Sequence, residues 1–384
     1  MKKIVIAPDS FKESLSARQV AQMIADAFRS ALPAVEIVAI PLADGGEGTL
    51  AALIDATGGQ FRSATVHDPL GDPLLAHWGL LGDGETAVIE MAAASGLALI
   101  APQRRNPLLS CSAGTGELIN AALDAGVRHF ILAIGGSATN DGGAGMLRAL
   151  GVQLLDAAGK ALPAGGAALA QLSRIDLSGL DPRLAHCRFE VACDVDNPLT
   201  GSQGASAIFG PQKGASPAMV AQLDAALSHY ASIIRQQVGI DIEHAAGAGA
   251  AGGMGAAALA FLNARLRRGV DIVLDATDLA RHLADADLVI TGEGRLDGQT
   301  VFGKTPLGVA QLAKQFGLPV IAIGGCLRED VDQLYGHGID AVFSCVHKPM
   351  TQDEALSHAS DNLQRVARNI AALIAISPIA RVLP

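Results

Sequence analysis

The sequence predicts an α/β protein of about two domains, one built from parallel βαβ units and a second, mixed α/β domain inserted into it. Short apolar runs alternate with helical patterns along most of the 384 residues, as expected for strands buried on both faces. Half of the residues are hydrophobic and 17% are charged, which is enough to bury a large core. Between about Ala64 and Met91 the texture changes. There "ATVHDPLGDPLLAHWGLLGDGETAVIEM" reads as antiparallel strands joined by Gly, Asp and Pro turns.

The elements follow in order. "KIVIAPD" is a first strand whose apolar run is only four residues long before Pro8 and Asp9 interrupt it, too short for a secretory signal. A helix from about Ser16 to Leu32 follows, with Ser16 and Gln19 at capping-box spacing. "EIVAIP" is the second strand, and "GVQLLDAAGKAL" resembles the antiparallel segment. "HFILAIGG", "DLVITGE", "PVIAIGG" and "IDAVFSC" are further strands, the second of them ending near Ile290. The last helix, from about Asp353 to Ile376, has no linker before it, so the C-terminus is expected to pack back on the N-terminal domain. The expected domains are 1–63 with 270–384, and 64–269.

Composition excludes several partners. A formal net charge of -10 argues against nucleic acid and anionic membranes, which call for a basic surface. The densest basic cluster, Arg265, Arg267 and Arg268, falls at the end of a predicted helix, where cations offset the dipole. Five cysteines without a CxxC pair and ten histidines without HxxxH or HExxH suggest reduced thiols and no zinc site. No apolar stretch approaches bilayer length. The protein is expected to be cytoplasmic.

In parallel sheets ligands bind beyond the carboxyl ends of the strands. Those ends carry acids: Asp9 in "APDSFKESLS", Asp44 and Glu47 in "PLADGGEGT", Asp141 in "GGSATNDGG", Asp194 and Asp196 in "ACDVDNPLTG", and Glu293 and Asp297 in "TGEGRLDGQT". Each alone is ordinary turn chemistry. Five together point to a shared polar cleft, and phosphoryl transfer needs that combination of glycine N–H groups, cations and carboxylates.

Two motifs are tested against their context. "GQTVFGKT", Gly298 to Thr305, fits the Walker A pattern, but a strand ending near Ile290 does not lead directly into it, and Pro306 follows at once. "GAGAAG", Gly247 to Gly252, matches a dinucleotide fingerprint, but the "DIEHAA" before it is a poor strand. It leaves a glycine-rich lead, including Gly252 and Gly253, into the helix "MGAAALAFLNARLRR". That lead offers either N–H donors to an anion or a tight packing contact.

Seven ordered motifs, "IAPDSFKESLSA", "ADGGEGT", "AIGGSATNDGGAGM", "ACDVDNPLTG", "FGPQKGA", "GAGAAGGMG" and "TGEGRLD", together resemble the bacterial glycerate kinase family over essentially the whole chain. The resemblance implies ATP-dependent phosphorylation of D-glycerate, usually at the 2-hydroxyl, with Mg²⁺. It also implies two α/β domains, one Rossmann-like and discontinuous, with the active site in the cleft between them, and no P-loop.

Roles follow as expectations. Lys12, a catalytic candidate, and Lys213 and Lys304 are cations suited to phosphate, with Gly45, Gly46, Gly252 and Gly253 as backbone donors. Arg295 is expected to take the substrate carboxylate through its bidentate fork, with Asp9, Ser10, Ser137, Thr139 and Asn140 also at the substrate. Mg²⁺ takes one or two carboxylates, here Asp194 and Asp196 or Glu293 and Asp297. Asp194 is ranked ahead of Asp141 as general base because "FEVACD" ends a buried-looking strand.

The alternatives are 3-hydroxyl phosphorylation, an NAD-dependent dehydrogenase of a small hydroxy acid suggested by "GAGAAG", and a non-catalytic acid-binding protein. A monomer or homodimer is expected.

Overall fold

The computed structural model describes residues 1–46, 48–301 and 303–376; Glu47 of the "GGEGT" turn lies outside them. The chain forms two compact units, one comprising Met1–Asp44, Ala51–Thr57 and Val270–Pro384, the other Gly45–Leu50 and Gly58–Gly269. No helix among the described residues is long and apolar enough to cross a membrane.

The first unit holds a five-stranded, wholly parallel sheet in the order Ala341–Ser344, Val320–Leu327, Leu288–Leu296, Lys3–Ile6, Glu36–Ala39. Winding therefore reverses between Lys3–Ile6 and Leu288–Leu296, which is where open α/β sheets place their ligands. All four residues of the first strand are buried, the condition that makes it read as an unbroken apolar run. The helix Ala17–Ala31 starts on a complete capping box between Ser16 and Gln19, which satisfies N–H groups that the first turn leaves open. Its Val20, Ile24 and Phe28 share a core with Leu363, Ala367 and Ile370 of the final helix, Ala359–Ile376. Each of the larger side chains contributes roughly 1.5–3 kcal/mol of burial, so the C-terminal helix is tied to the N-terminal one.

The second unit is built on a six-stranded mixed sheet in the order Arg265–Arg267, Arg188–Ala192, His129–Ala133, Thr86–Glu90, Pro73–Leu80, Gln60–His67. The first four strands run parallel and the last two antiparallel. Phe130 and Phe189 stack at 4.6 Å on adjacent strands and anchor its core.

Two readings of the sequence change. The helix before the arginines ends at Phe261, because Asn263 takes a left-handed φ of 48°. Arg265–Arg267 is instead an edge strand, and Arg267 bonds the buried Glu190 at 2.7 Å. The strand expected to stop near Ile290 runs on to Leu296, since the ladder continues through the glycines: Gly292 pairs with Ile323, where a Cβ would sit 2.2 Å from the Ile323 carbonyl oxygen, and pairing resumes at Arg295 with Cys326.

Candidate active site

In the first unit a polar cluster forms at the sheet's reversal point. Gly294 lies so close to the Phe11–Lys12 backbone that an added Cβ would meet the Lys12 nitrogen at 3.2 Å. Past the first strand, the Asp9 N–H donates to the Gly292 carbonyl at 2.8 Å. The Asp9 carboxylate accepts from the Ser10 N–H and the Thr305 hydroxyl, both at 2.6 Å. Burial, reinforced by the nearby Asp44, pushes its pKa up to about 6.

Glu293 accepts from the Thr300 hydroxyl at 2.6 Å and from Lys304 at 3.3 Å. Burial still carries its pKa up to about 7. Asp297 accepts from Arg295 Nε at 2.8 Å and from the Gln299 N–H at 3.0 Å, with Lys304 Nζ 3.8 Å away. Burial pulls the Lys12 ammonium down, but Asp44, at 3.4 Å, and Asp9 outweigh it and the pKa is raised.

Among the described residues Arg295 is engaged only through Nε, and both Nη groups lack a partner on a half-exposed side chain. The Walker-like loop is likewise committed elsewhere. Asp297 holds the N–H groups of Gln299 and Thr300, the latter through its carbonyl, and Lys304 is paired with Glu293 and Asp297. A P-loop needs those N–H groups open to phosphate.

In the second unit a second cluster gathers at the carboxyl ends of the strands His129–Ala133 and Arg188–Ala192. Gly45 packs against Gly269, its absent Cβ falling 2.4 Å from the Gly269 Cα, and the Gly269 N–H donates to Asp194 at 2.9 Å. Gly135 faces Gly46. Gly135 and Gly136 are exposed, and among the described residues their N–H groups and that of Ser137 meet no acceptor, while the flanking backbone bonds, Leu97 to Gly136 and Ala138 to Ser95, pin the turn. Successive open N–H groups of this kind form an anion nest.

Asp141 sits deeper, 1% exposed. Its oxygens accept from the Ser112 N–H at 2.9 Å, the Ser112 hydroxyl at 2.8 Å, and the N–H groups of Gly143 and Gly145 at 3.2 and 3.1 Å. It thus ties the start of the helix Ala144–Ala149 to residue 112. Burial raises its pKa against those four donors.

Gly252 and Gly253 are buried against this loop. A Cβ on Gly252 would lie 2.0 Å from the Thr139 carbonyl oxygen, and one on Gly253 2.8 Å from the Gly142 Cα. The close approach explains why these two positions are glycine. Lys213, 1% exposed, donates to Ser137 Oγ and to the Thr139 carbonyl, both at 2.7 Å.

The sequence-derived residues therefore divide between two clusters: Asp9, Ser10, Lys12, Glu293, Arg295, Asp297 and Lys304 in the first unit, and Gly45, Gly46, Ser137, Thr139, Asn140, Asp141, Asp194, Lys213, Gly252 and Gly253 in the second. Asp196 is exposed three residues past Cys193. Thr300, Thr305 and Ser112 escaped the sequence reading, because a hydroxyl that holds a carboxylate leaves no spacing signature. Among the described residues no group of three or more His, Cys, Asp or Glu side chains converges as a metal site. A hard cation here would have one or two carboxylates and complete its shell with water or phosphate.

Residues 4–375 match the profile of the Glycerate kinase family. The chain is 57% identical to a glycerate kinase of Haemophilus influenzae over 97% of this chain and 99% of that protein. It is 56% identical to a glycerate 2-kinase of Escherichia coli K12 over 97% and 98%. A crystal structure from Salmonella typhimurium LT2, named as a candidate glycerate kinase 2, superposes with a TM-score of 0.91 at 54% identity and covers both chains completely. None of these likenesses supports a dehydrogenase.

Proposed function

Since the chain belongs to the glycerate kinase family, a family of kinase enzymes, we propose that it transfers the γ-phosphoryl group of ATP to D-glycerate, at the 2-hydroxyl, giving 2-phospho-D-glycerate and ADP. The observation that carries the chemistry is the cluster at the sheet reversal point. The buried Asp9 carboxyl and the partly buried Glu293 carboxyl, with pKa values raised to about 6 and about 7, stand among two lysines and an arginine fork whose Nη groups meet no acceptor among the described residues. The 2-hydroxyl is supported by the Escherichia coli relative, which is named a glycerate 2-kinase.

Arg295 binds the glycerate carboxylate, because its fork matches two carboxylate oxygens. Lys12 and Lys304 neutralise phosphate oxygens. The open N–H groups of Gly135, Gly136 and Ser137 receive an anionic group of a reactant.

The raised carboxyls also bear on Mg²⁺. Asp9, Asp44, Glu293 and Asp297 outnumber Lys12, Arg295 and Lys304, so the cluster has an excess of oxygen donors and negative charge, which fits a hard divalent cation. Glu293, with Asp297 or Asp9, would hold it in this unit, and Asp194 with Asp196 offers a second carboxylate pair. Bound Mg²⁺ supplies charge neutralisation for the transferred phosphoryl group.

Asp194, exposed and oriented by the Gly269 N–H, takes the hydroxyl proton. Asp141 keeps a structural task, since its oxygens are taken by four donors.

The purified protein with D-glycerate, ATP and Mg²⁺, followed by phosphorus NMR, tests this reading. The 2-phosphate is the expected product. The 3-phosphate would overturn the regiochemistry, and formation of neither would overturn the kinase reaction.

A further inference from the structure

We propose that Lys213 is a positioning residue, whose buried ammonium holds Ser137 as a hydrogen-bond donor to an anionic group seated on the N–H groups of Gly135, Gly136 and Ser137. The inference rests on the kinase reading above, which assigns that turn to a phosphoryl or carboxylate group of a reactant.

The geometry starts from the turn Pro211–Lys213, closed by Gly214 at φ 93°, where a Cβ would come within 2.9 Å of the Arg105 carbonyl oxygen. That turn delivers Nζ to Ser137 Oγ and the Thr139 carbonyl at 2.7 Å each. A hydroxyl that accepts from an ammonium must direct its own proton elsewhere. Ser137 is thereby fixed as a donor, next to three N–H groups that meet no acceptor among the described residues.

Charge points the same way. No carboxylate of the described residues lies within ion-pairing distance of Lys213; Asp141 acts on it from further away, and its oxygens are occupied. A buried ammonium without a direct counter-ion is costly. Burial accordingly draws the Lys213 pKa down to about 7. An anion on the turn supplies the missing negative charge through Ser137. Thr139 Oγ1 and Asn140 Oδ1, on the same loop, are also buried without a partner among the described residues. Unpaired buried polar atoms are uncommon in loops that serve packing alone.

The test compares the full-length wild type with Lys213→Met, Ser137→Ala and the double variant, measuring thermal melting, kcat, and KM for ATP and for D-glycerate. Lys213→Met should melt no lower than wild type while kcat/KM for one reactant falls about 10- to 100-fold, the range of one lost charge-assisted hydrogen bond. Ser137→Ala should show a loss of similar size, and the double variant should be no worse than the lower single. A rise in KM for ATP assigns a nucleotide phosphate to the turn; a rise for D-glycerate assigns its carboxylate.

Wild-type kinetics within twofold in Lys213→Met, or losses that multiply in the double variant, would overturn the proposal. If Lys213→Met does not fold, Ser137→Ala decides, and its near-normal kcat/KM would overturn it. A wild type that does not phosphorylate glycerate overturns the kinase reading and this inference together, whereas an active wild type with unaffected variants overturns the inference alone.

Discussion

Thr305 donates its hydroxyl to Asp9 Oδ2 over 2.6 Å, joining the first residue of a helix to the turn after the first strand, 296 positions earlier in the chain. That bond favours the ionised carboxylate and opposes the burial that raises its pKa to about 6. In Thr305→Val the carboxyl should titrate above that value, whereas Thr305→Ser should leave it near 6. Carbon NMR titration of Asp9 in metal-free buffer reads this directly. An unshifted titration in the valine variant would mean that the hydroxyl does not support the charge.

Glu293 gives a pH-dependent stability. Its carboxyl is raised from 4.5 in the unfolded chain to about 7 in the fold, so at pH 8 the fold bears the cost of a buried charge, and below 4.5 it does not. Glu293→Gln should therefore stabilise the protein at pH 8 by on the order of 1–3 kcal/mol, with the gain fading as pH falls from 7 to 4.5. Denaturant unfolding at the two pH values measures it. A gain that grew towards low pH would contradict the raised pKa.

Asp141 separates a structural from a chemical task. Its oxygens face four donors, so an Asn amide would turn an N–H group towards at least one of them. Asp141→Asn should cost about 2–4 kcal/mol of stability, seen as a lower denaturation midpoint, with activity falling as the folded fraction falls. A fully stable variant with little turnover would return Asp141 to the chemistry.

Much of this was legible in the residues. The apolar runs and the Ser16 capping box are local signals, and they formed where the pattern put them. The glycines of "TGEG" misled, because they read as a strand end yet lie within the strand and pack tightly against Ile323 and the Phe11–Lys12 backbone. At Asn263 a single left-handed residue ended a helix that periodicity carried on to Arg268. What the sequence lacked was long-range pairing: nothing in "GKT" says that its threonine meets Asp9, and nothing in "PQKG" says that its lysine is buried under Ser137.

Asp194 is the proposed base. It is exposed at the end of the strand Arg188–Ala192 and held by the Gly269 N–H. Asp194→Asn keeps the shape and an acceptor for that N–H but cannot take a proton. A fall in kcat of about 10²- to 10⁴-fold with KM for ATP little changed is expected in steady-state assays. Near-normal turnover would move the role to another carboxylate.

Arg295 tests where the substrate carboxylate sits. Its Nε is bound to Asp297, and its two Nη groups are unengaged among the described residues, on a half-exposed side chain, the arrangement that receives a second carboxylate side-on. Arg295→Met should raise KM for D-glycerate about 10- to 100-fold while KM for ATP stays near wild type, since a bidentate charge-assisted contact is worth about 1.5–3 kcal/mol. Arg295→Lys keeps the charge without the fork and should recover only part of the loss. If the methionine variant instead raised KM for ATP alone, the arginine would belong to the nucleotide, and the glycerate carboxylate would have to be sought at the Gly135–Ser137 turn.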